Sequence, residues 1–207
     1  MKNILVIGAA GQIGSELVPA LRKLGFMTVA GFSRTPLTPE LAAGGPSVRI
    51  DILDGTGLVD VIRRHRIDTV FNLAAMLSAK AEAQPLSAWN VGVNGLLNVL
   101  EAARIEHCAV FTPSSIGVFG DSTPHAKTPQ DTVCRPKTVY GITKVTGELL
   151  SDYYFLKYGV DTRSVRYPGL ISSVTPPGGG TTDYAVDIFY SAVRGETYVC
   201  PIAAGTF

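Results

Sequence analysis

Tyr140 and Lys144 stand four residues apart within residues 138–158, a stretch whose apolar spacing predicts a helix. Side chains at that spacing leave one helix face toward the same point. A phenol titrates near pH ~10, and a neighbouring ammonium favours its phenolate, so Tyr140 could take a proton from a substrate hydroxyl near neutral pH. The spacing alone is weak evidence. With eight tyrosines in the chain, a Tyr-x-x-x-Lys arises by chance about one time in three. Ser114 and Ser115 strengthen it: they follow a predicted strand and precede the pair, where a hydroxyl can polarise a substrate oxygen. Tyr140, Lys144, Ser114 and Ser115 are the candidate catalytic residues. No metal is expected among them, because a phenolate with an ammonium beside it supplies what a Lewis acid would otherwise provide.

Gly8, Gly11 and Gly14 form GxxGxxG between the first predicted strand and the first predicted helix. Glycines there allow a tight turn and let a pyrophosphate approach the amides of the helix start, around Gln12 and Ile13. Many loops carry glycine for steric reasons alone. A glycine-rich turn directly after the first strand of a βαβ unit, however, points to a dinucleotide. Asp51, followed by Ile52, ends the third strand; its carboxylate could accept from an adenine amino group or cap a turn. Leu73, Ala74 and Ala75 close the fourth strand, and the small side chains would let a cofactor lie near the sheet edge.

Positioning these groups requires a parallel sheet with helices on both faces, and the chain reads that way. Strands are predicted at Asn3–Ile7, Met27–Phe32, 47–50, 69–74, 108–113 and 162–166. Helices are predicted at 12–24, 54–64, 86–104 and 138–158. Gly117, Gly120, Pro124, Pro129 and Pro136 make 116–137 a long surface loop. A second loop, 168–182, leads to a last helix at 183–194, and its three glycines at 178–180 read either as a linker or as the hinge of a closing lid. The expected fold class is α/β, a Rossmann-type doubly wound parallel sheet. Residues 1–167 would form the dinucleotide-binding domain and 168–207 the start of a substrate-binding portion.

Hydrophobic residues make up 46% of the 207 and charged residues 17%, with a formal net charge of +1. That balance suits a globular core and leaves no basic block for a nucleic-acid backbone or an anionic membrane. The apolar run before Gly8 is too short for a signal sequence or a membrane span, so the cytoplasm is the expected location. Cys108, Cys134 and Cys200 are odd in number and widely spaced, which suggests neither a disulfide framework nor a zinc site. A small-molecule partner remains, with a homodimer as the expected assembly.

The segments GAAGQIGSEL, NLAAMLSA, PSSIGVFG, TVYGITK and RYPGLISSVTPPGGGTTDYAVDIFY together resemble the short-chain-type L-threonine 3-dehydrogenases. These are relatives of the sugar-nucleotide epimerases within the extended short-chain dehydrogenase group. The resemblance runs from Met1 to about Pro201; GxxGxxG and YxxxK belong to the wider group, whereas PGGGTTDYAVDIFY is particular to the threonine enzymes. It implies oxidation of the β-hydroxyl of L-threonine to 2-amino-3-oxobutyrate with hydride transfer to NAD. Tyr140 would be the general base, Lys144 would hold the nicotinamide ribose, and Ser114 or Ser115 would orient the hydroxyl. Ser78, Gly178 and Thr181 or Thr182 would contact the amino acid, and Tyr167, Pro168 and Leu170 the cofactor. Two other readings share this fold. One is a sugar-nucleotide epimerase or dehydratase that retains its cofactor. The other is a non-catalytic dinucleotide sensor, against which the intact Tyr140/Lys144 pair argues.

The chain departs from that family at three places. After the second strand, where an acid usually binds the adenosine ribose, it has Gly31, Phe32, Ser33 and Arg34. The resemblance keeps NAD first, while Arg34 suits the 2′-phosphate of NADP. Gly92 stands where related proteins often place an Asn in the helix below the site. The chain stops at Phe207, so the C-terminal substrate lobe is expected to be incomplete.

Overall fold

Alternate side chains of β1 (Asn3–Ile7) enter two different cores: Leu5 and Ile7 join one, Ile4 and Val6 the other. A strand of period 2 that is apolar on both faces must be covered on both. The computed structural model, which describes residues 3–171 and 182–202, shows that covering. β1 lies at the middle of a six-stranded parallel sheet with β2 (Met27–Phe32), β3 (Ser47–Arg49), β4 (Thr69–Asn72), β5 (Ala109–Phe111) and β7 (Thr162–Arg163). The order is β3-β2-β1-β4-β5-β7. The short β6 (Ser114–Ser115) pairs in parallel with β8 (Arg166–Tyr167) beyond the end of β5.

Val18 and Leu21 of α1 (Gly14–Lys23) and Leu41 of α2 (Pro39–Ala43) cover one face of the sheet. The larger core on the other face takes Leu58 and Ile62 from α3 (Gly55–His65). Leu96 and Leu100 of α6 (Gly95–Glu106) and Tyr154 of α7 (Val139–Tyr158) complete it. The short α4 (Ser78–Ala83) and α5 (Pro85–Trp89) pack Ala81 and Ala88 beside Met76, against Val139 and Tyr140. The last helix is α8 (Tyr184–Arg194). No helix among the described residues is long and apolar enough to cross a membrane.

Local chemistry sets the helix ends. Asp54 accepts from the Gly57 amide at 2.9 Å to start α3, and Thr138 accepts from the Gly141 amide at 3.0 Å to start α7. Each such cap contributes about 1 kcal/mol.

The structure differs from the sequence reading in several elements. The predicted helix over 86–104 is not continuous: α5 runs into a π-helical turn, Asn90–Asn94, before α6 begins. One wide turn leaves the apolar spacing on either side nearly intact, so periodicity does not reveal it. Upstream, Pro85 holds Gln84 in extended backbone (ψ 66°), which separates α4 from α5. The turn region before β3 contains α2, started by Thr38 and Pro39. The predicted strand at 162–166 divides into β7 and β8, and β3, β4 and β5 are each shorter than predicted.

Candidate active site

β1 and β4 are neighbours where the strand order reverses, and a cleft of about 400 Å³ lies beyond their ends. This is where open sheets of this kind hold ligands. Gly8 has φ +85°, a conformation that glycine adopts without strain, and the amides of Gly8 and Ala9 donate to the Gly31 carbonyl at 3.0 and 2.9 Å. A Cβ on Gly14 would lie 2.3 Å from the Gly8 carbonyl oxygen, so α1 can begin against this turn only with glycine there. Gly8 and Gly11 line the cleft with Ser33 and Arg34 after β2, Asp51 and Ile52 after β3, and Leu73, Ala74 and Ala75 after β4. Gln12, Ile13 and Gly14 form the helix start behind it and do not line it. Asp51 accepts from the Leu53 amide at 3.0 Å, which is the turn-capping geometry.

Ala74 and Ala75 also belong to a second, smaller cavity of about 30 Å³, so the two meet at the end of β4. Tyr140 and Lys144 line the smaller one. The Lys144 Nζ donates to the Pro113 carbonyl at 2.8 Å and lies 5.5 Å from the centre of the Tyr140 ring. Burial pulls the Lys144 ammonium down from 10.5 to about 8. The first turn of α7 rests on a 3-10 turn, Ile116–Val118: a Cβ on Gly141 would fall 2.2 Å from the Gly117 carbonyl oxygen. A Cβ on Gly117 would lie 3.3 Å from the Tyr140 ring and 3.3 Å from the Ser115 Oγ, so phenol and hydroxyl flank one small space.

The two serines have different hydrogen-bond partners. Ser115 Oγ accepts from the Gly117 amide at 3.1 Å, which leaves its own hydrogen to donate. Ser114 lines the smaller cavity, but its hydroxyl donates to Glu148 Oε1 at 2.5 Å. With the Ser114 proton on Glu148, Ser115, which lines neither cavity, is the serine whose hydroxyl hydrogen is not given to a side chain among the described residues. Glu148 also receives Arg166 through Nε at 2.9 Å and Nη2 at 2.8 Å. Burial alone would raise the Glu148 carboxyl, but the Arg166 and Ser114 hydrogen bonds more than offset it and hold the group below the usual carboxylate range.

Glu148 and Arg166 were missed by the sequence reading. Glu148 extends the helix face of Tyr140 and Lys144 by one more step of four, a usable signal; Arg166 carries none. Asn72 Oδ1 and Thr112 Oγ1 are buried without a hydrogen-bond partner among the described residues, and both residues line the smaller cavity beside Lys144. Open polar valences there, and a glycine-walled cleft leading away from them, fit a long ligand that is polar at both ends. Gly92 sits in the π-helical turn with its Cα facing Thr143, where a Cβ would lie 3.1 Å from the threonine Cβ. Ser78 opens α4, and Tyr167, Pro168 and Leu170 follow Arg166; none of the four lines either cavity. Thr182 packs on Gly169, whose added Cβ would meet it at 2.6 Å. Gly178 and Thr181 lie outside the described residues.

Strand order, glycine turn and the cleft between them define a dinucleotide-binding protein of the Rossmann class. Within that class the chain belongs to the NAD dependent epimerase/dehydratase family, whose profile matches residues 4–196. A curated relative from Staphylococcus aureus (strain MRSA252), described as an uncharacterized epimerase/dehydratase, is 49% identical over the whole of this chain and 65% of its own length. Among solved structures, an L-threonine dehydrogenase from Clostridium difficile is 50% identical with a TM-score of 0.93, covering 98% of this chain and 64% of that one. The L-threonine 3-dehydrogenase of Trypanosoma brucei is 39% identical with a TM-score of 0.92 over 98% and 64%. A Thermus thermophilus UDP-glucose 4-epimerase complex with NAD is 26% identical with a TM-score of 0.85 over 95% and 64%. The chain thus spans just under two thirds of the length of these relatives.

Proposed function

We propose that the chain oxidises the β-hydroxyl of L-threonine to 2-amino-3-oxobutyrate, with a nicotinamide dinucleotide as hydride acceptor. The observation that carries this reading is the contrast in likeness: 50% identity to a solved L-threonine dehydrogenase against 26% to a UDP-glucose 4-epimerase. NAD is the dinucleotide named by the family description. When bound, the nicotinamide ring would supply the site that accepts hydride from the substrate β-carbon. The chain's own residues supply the proton chemistry. The Tyr140 phenolate removes the hydroxyl proton, Ser115 donates to the same oxygen as the carbonyl forms, and the Lys144 ammonium stabilises the phenolate charge. Ser78 and Thr182, with Gly178 and Thr181, are the proposed contacts of the amino acid. A cytoplasmic homodimer is the proposed state, and the exposed Leu149 and Leu156 of α7 offer apolar surface for a second copy.

The test is to incubate the chain with NAD or NADP and a panel of hydroxy amino acids and nucleotide sugars, following the absorbance of the reduced cofactor. Reduction that depends on L-threonine supports the proposal. Interconversion of a nucleotide sugar with no net reduction supports the epimerase reading instead, since an epimerase retains and regenerates its cofactor.

A further inference from the structure

We infer that the adenosine end of the cleft is built for a 2′-phosphate, so that the chain binds NADP more tightly than NAD; this rests on the reading of the cleft as a dinucleotide site. In sheets of this order an acid just after the second strand accepts a hydrogen bond from the adenosine ribose, whereas an arginine there suits a 2′-phosphate. β2 ends at Phe32, and Phe32, Ser33, Arg34 and Thr35 all line the cleft. Their position beside the glycine turn is set by backbone: Ile7 pairs in register with Gly31, whose carbonyl receives the Gly8 and Ala9 amides.

Among the described residues no acid follows β2 in place of the missing one. Between Gly25 and Ile50 the sequence has a single acidic residue, Glu40, and it lies in α2, away from the cleft lining. Asp51 is the acid that does line the cleft, and its Oδ1 is held by the Leu53 amide in the turn after β3. Arg34 is exposed and makes no ion pair among the described residues. A planar guanidinium with no ion pair among the described residues, flanked by the hydroxyl-bearing Ser33 and Thr35, matches the paired acceptor oxygens of a phosphate. A ribose hydroxyl in the same place finds no carboxylate to receive its proton. The charge pattern therefore rewards the phosphate and offers the hydroxyl little.

The probes are 5′-ADP and 2′,5′-ADP, titrated calorimetrically into the full chain, so that neither substrate nor turnover is involved. The expected result is that 2′,5′-ADP binds more tightly by about tenfold, the scale of one charge-assisted hydrogen bond. Arg34→Ala should bring the two affinities together, and Ser33→Asp should reverse the preference. Equal or weaker binding of 2′,5′-ADP, or an Arg34→Ala loss that is the same for both probes, overturns the inference while leaving the dinucleotide site standing. Binding of neither probe removes the dinucleotide reading and this inference with it.

Discussion

Replacing Tyr140 by Phe keeps the ring against Gly117 and removes only the oxygen proposed to take the substrate proton. Turnover should fall by about 10²–10⁴-fold, the usual range for loss of a general base, while dinucleotide affinity measured by fluorescence titration is retained. Near wild-type turnover would remove Tyr140 from the chemistry. Lys144 makes a different prediction, in stability. The fall from 10.5 to about 8 corresponds to about 3 kcal/mol spent on keeping the ammonium charged, partly offset by about 1.5–3 kcal/mol for its charge-assisted bond to the Pro113 carbonyl. The cost is present in full below pH 8, where the folded chain carries the charge, and it fades as pH rises toward 10.5. Lys144→Met should therefore be more favourable relative to wild type at pH 7 than at pH 10.5 when melting temperatures are compared; a difference that does not fall between pH 8 and 10.5 would show that Lys144 carries no such cost. At this scale the sequence made Tyr140 and Lys144 visible because they are neighbours on one helix. It could not separate Ser114 from Ser115, since that distinction depends on Glu148, 34 residues further along the chain.

Helix α7 carries the proposed catalytic pair, and its docking is set where Gly141 meets the Gly117 carbonyl. Gly141→Ala forces a Cβ into a space 2.2 Å from that oxygen, so the helix start must move and take Tyr140 with it. The variant should lose about 1–3 kcal/mol of stability, the cost of overpacking, and should lower turnover more than it lowers dinucleotide affinity. Thermal melting and single-turnover kinetics check both parts; unchanged kinetics would mean that the contact does not position Tyr140. The helix predicted over 138–158 matches α7, which Thr138 caps and Gly159 ends. The π-helical turn at Asn90–Asn94 was not legible, because apolar spacing survives one wide turn. The predicted start at 86 falls within one residue of Pro85, where α5 begins, whereas α4 before it was not predicted.

Across the whole molecule, the alternation of strands and helices announced a doubly wound sheet, and the β3-β2-β1-β4-β5-β7 order follows from right-handed crossovers on either side of β1. The meeting of two cavities at Ala74 and Ala75 was beyond sequence reasoning. It depends on four loop ends converging, and on the burial of Asn72 and Thr112 with open polar atoms. That junction is where the account places hydride transfer. The direct measurement is to incubate the chain with L-threonine deuterated at the β-carbon and an oxidised nicotinamide dinucleotide, and to weigh the recovered dinucleotide by mass spectrometry. One deuterium is expected in the reduced nicotinamide ring, formed by the wild-type chain and not by Tyr140→Phe. Recovery of only undeuterated dinucleotide from the wild-type chain, under conditions where dinucleotide binding is saturated, would contradict it.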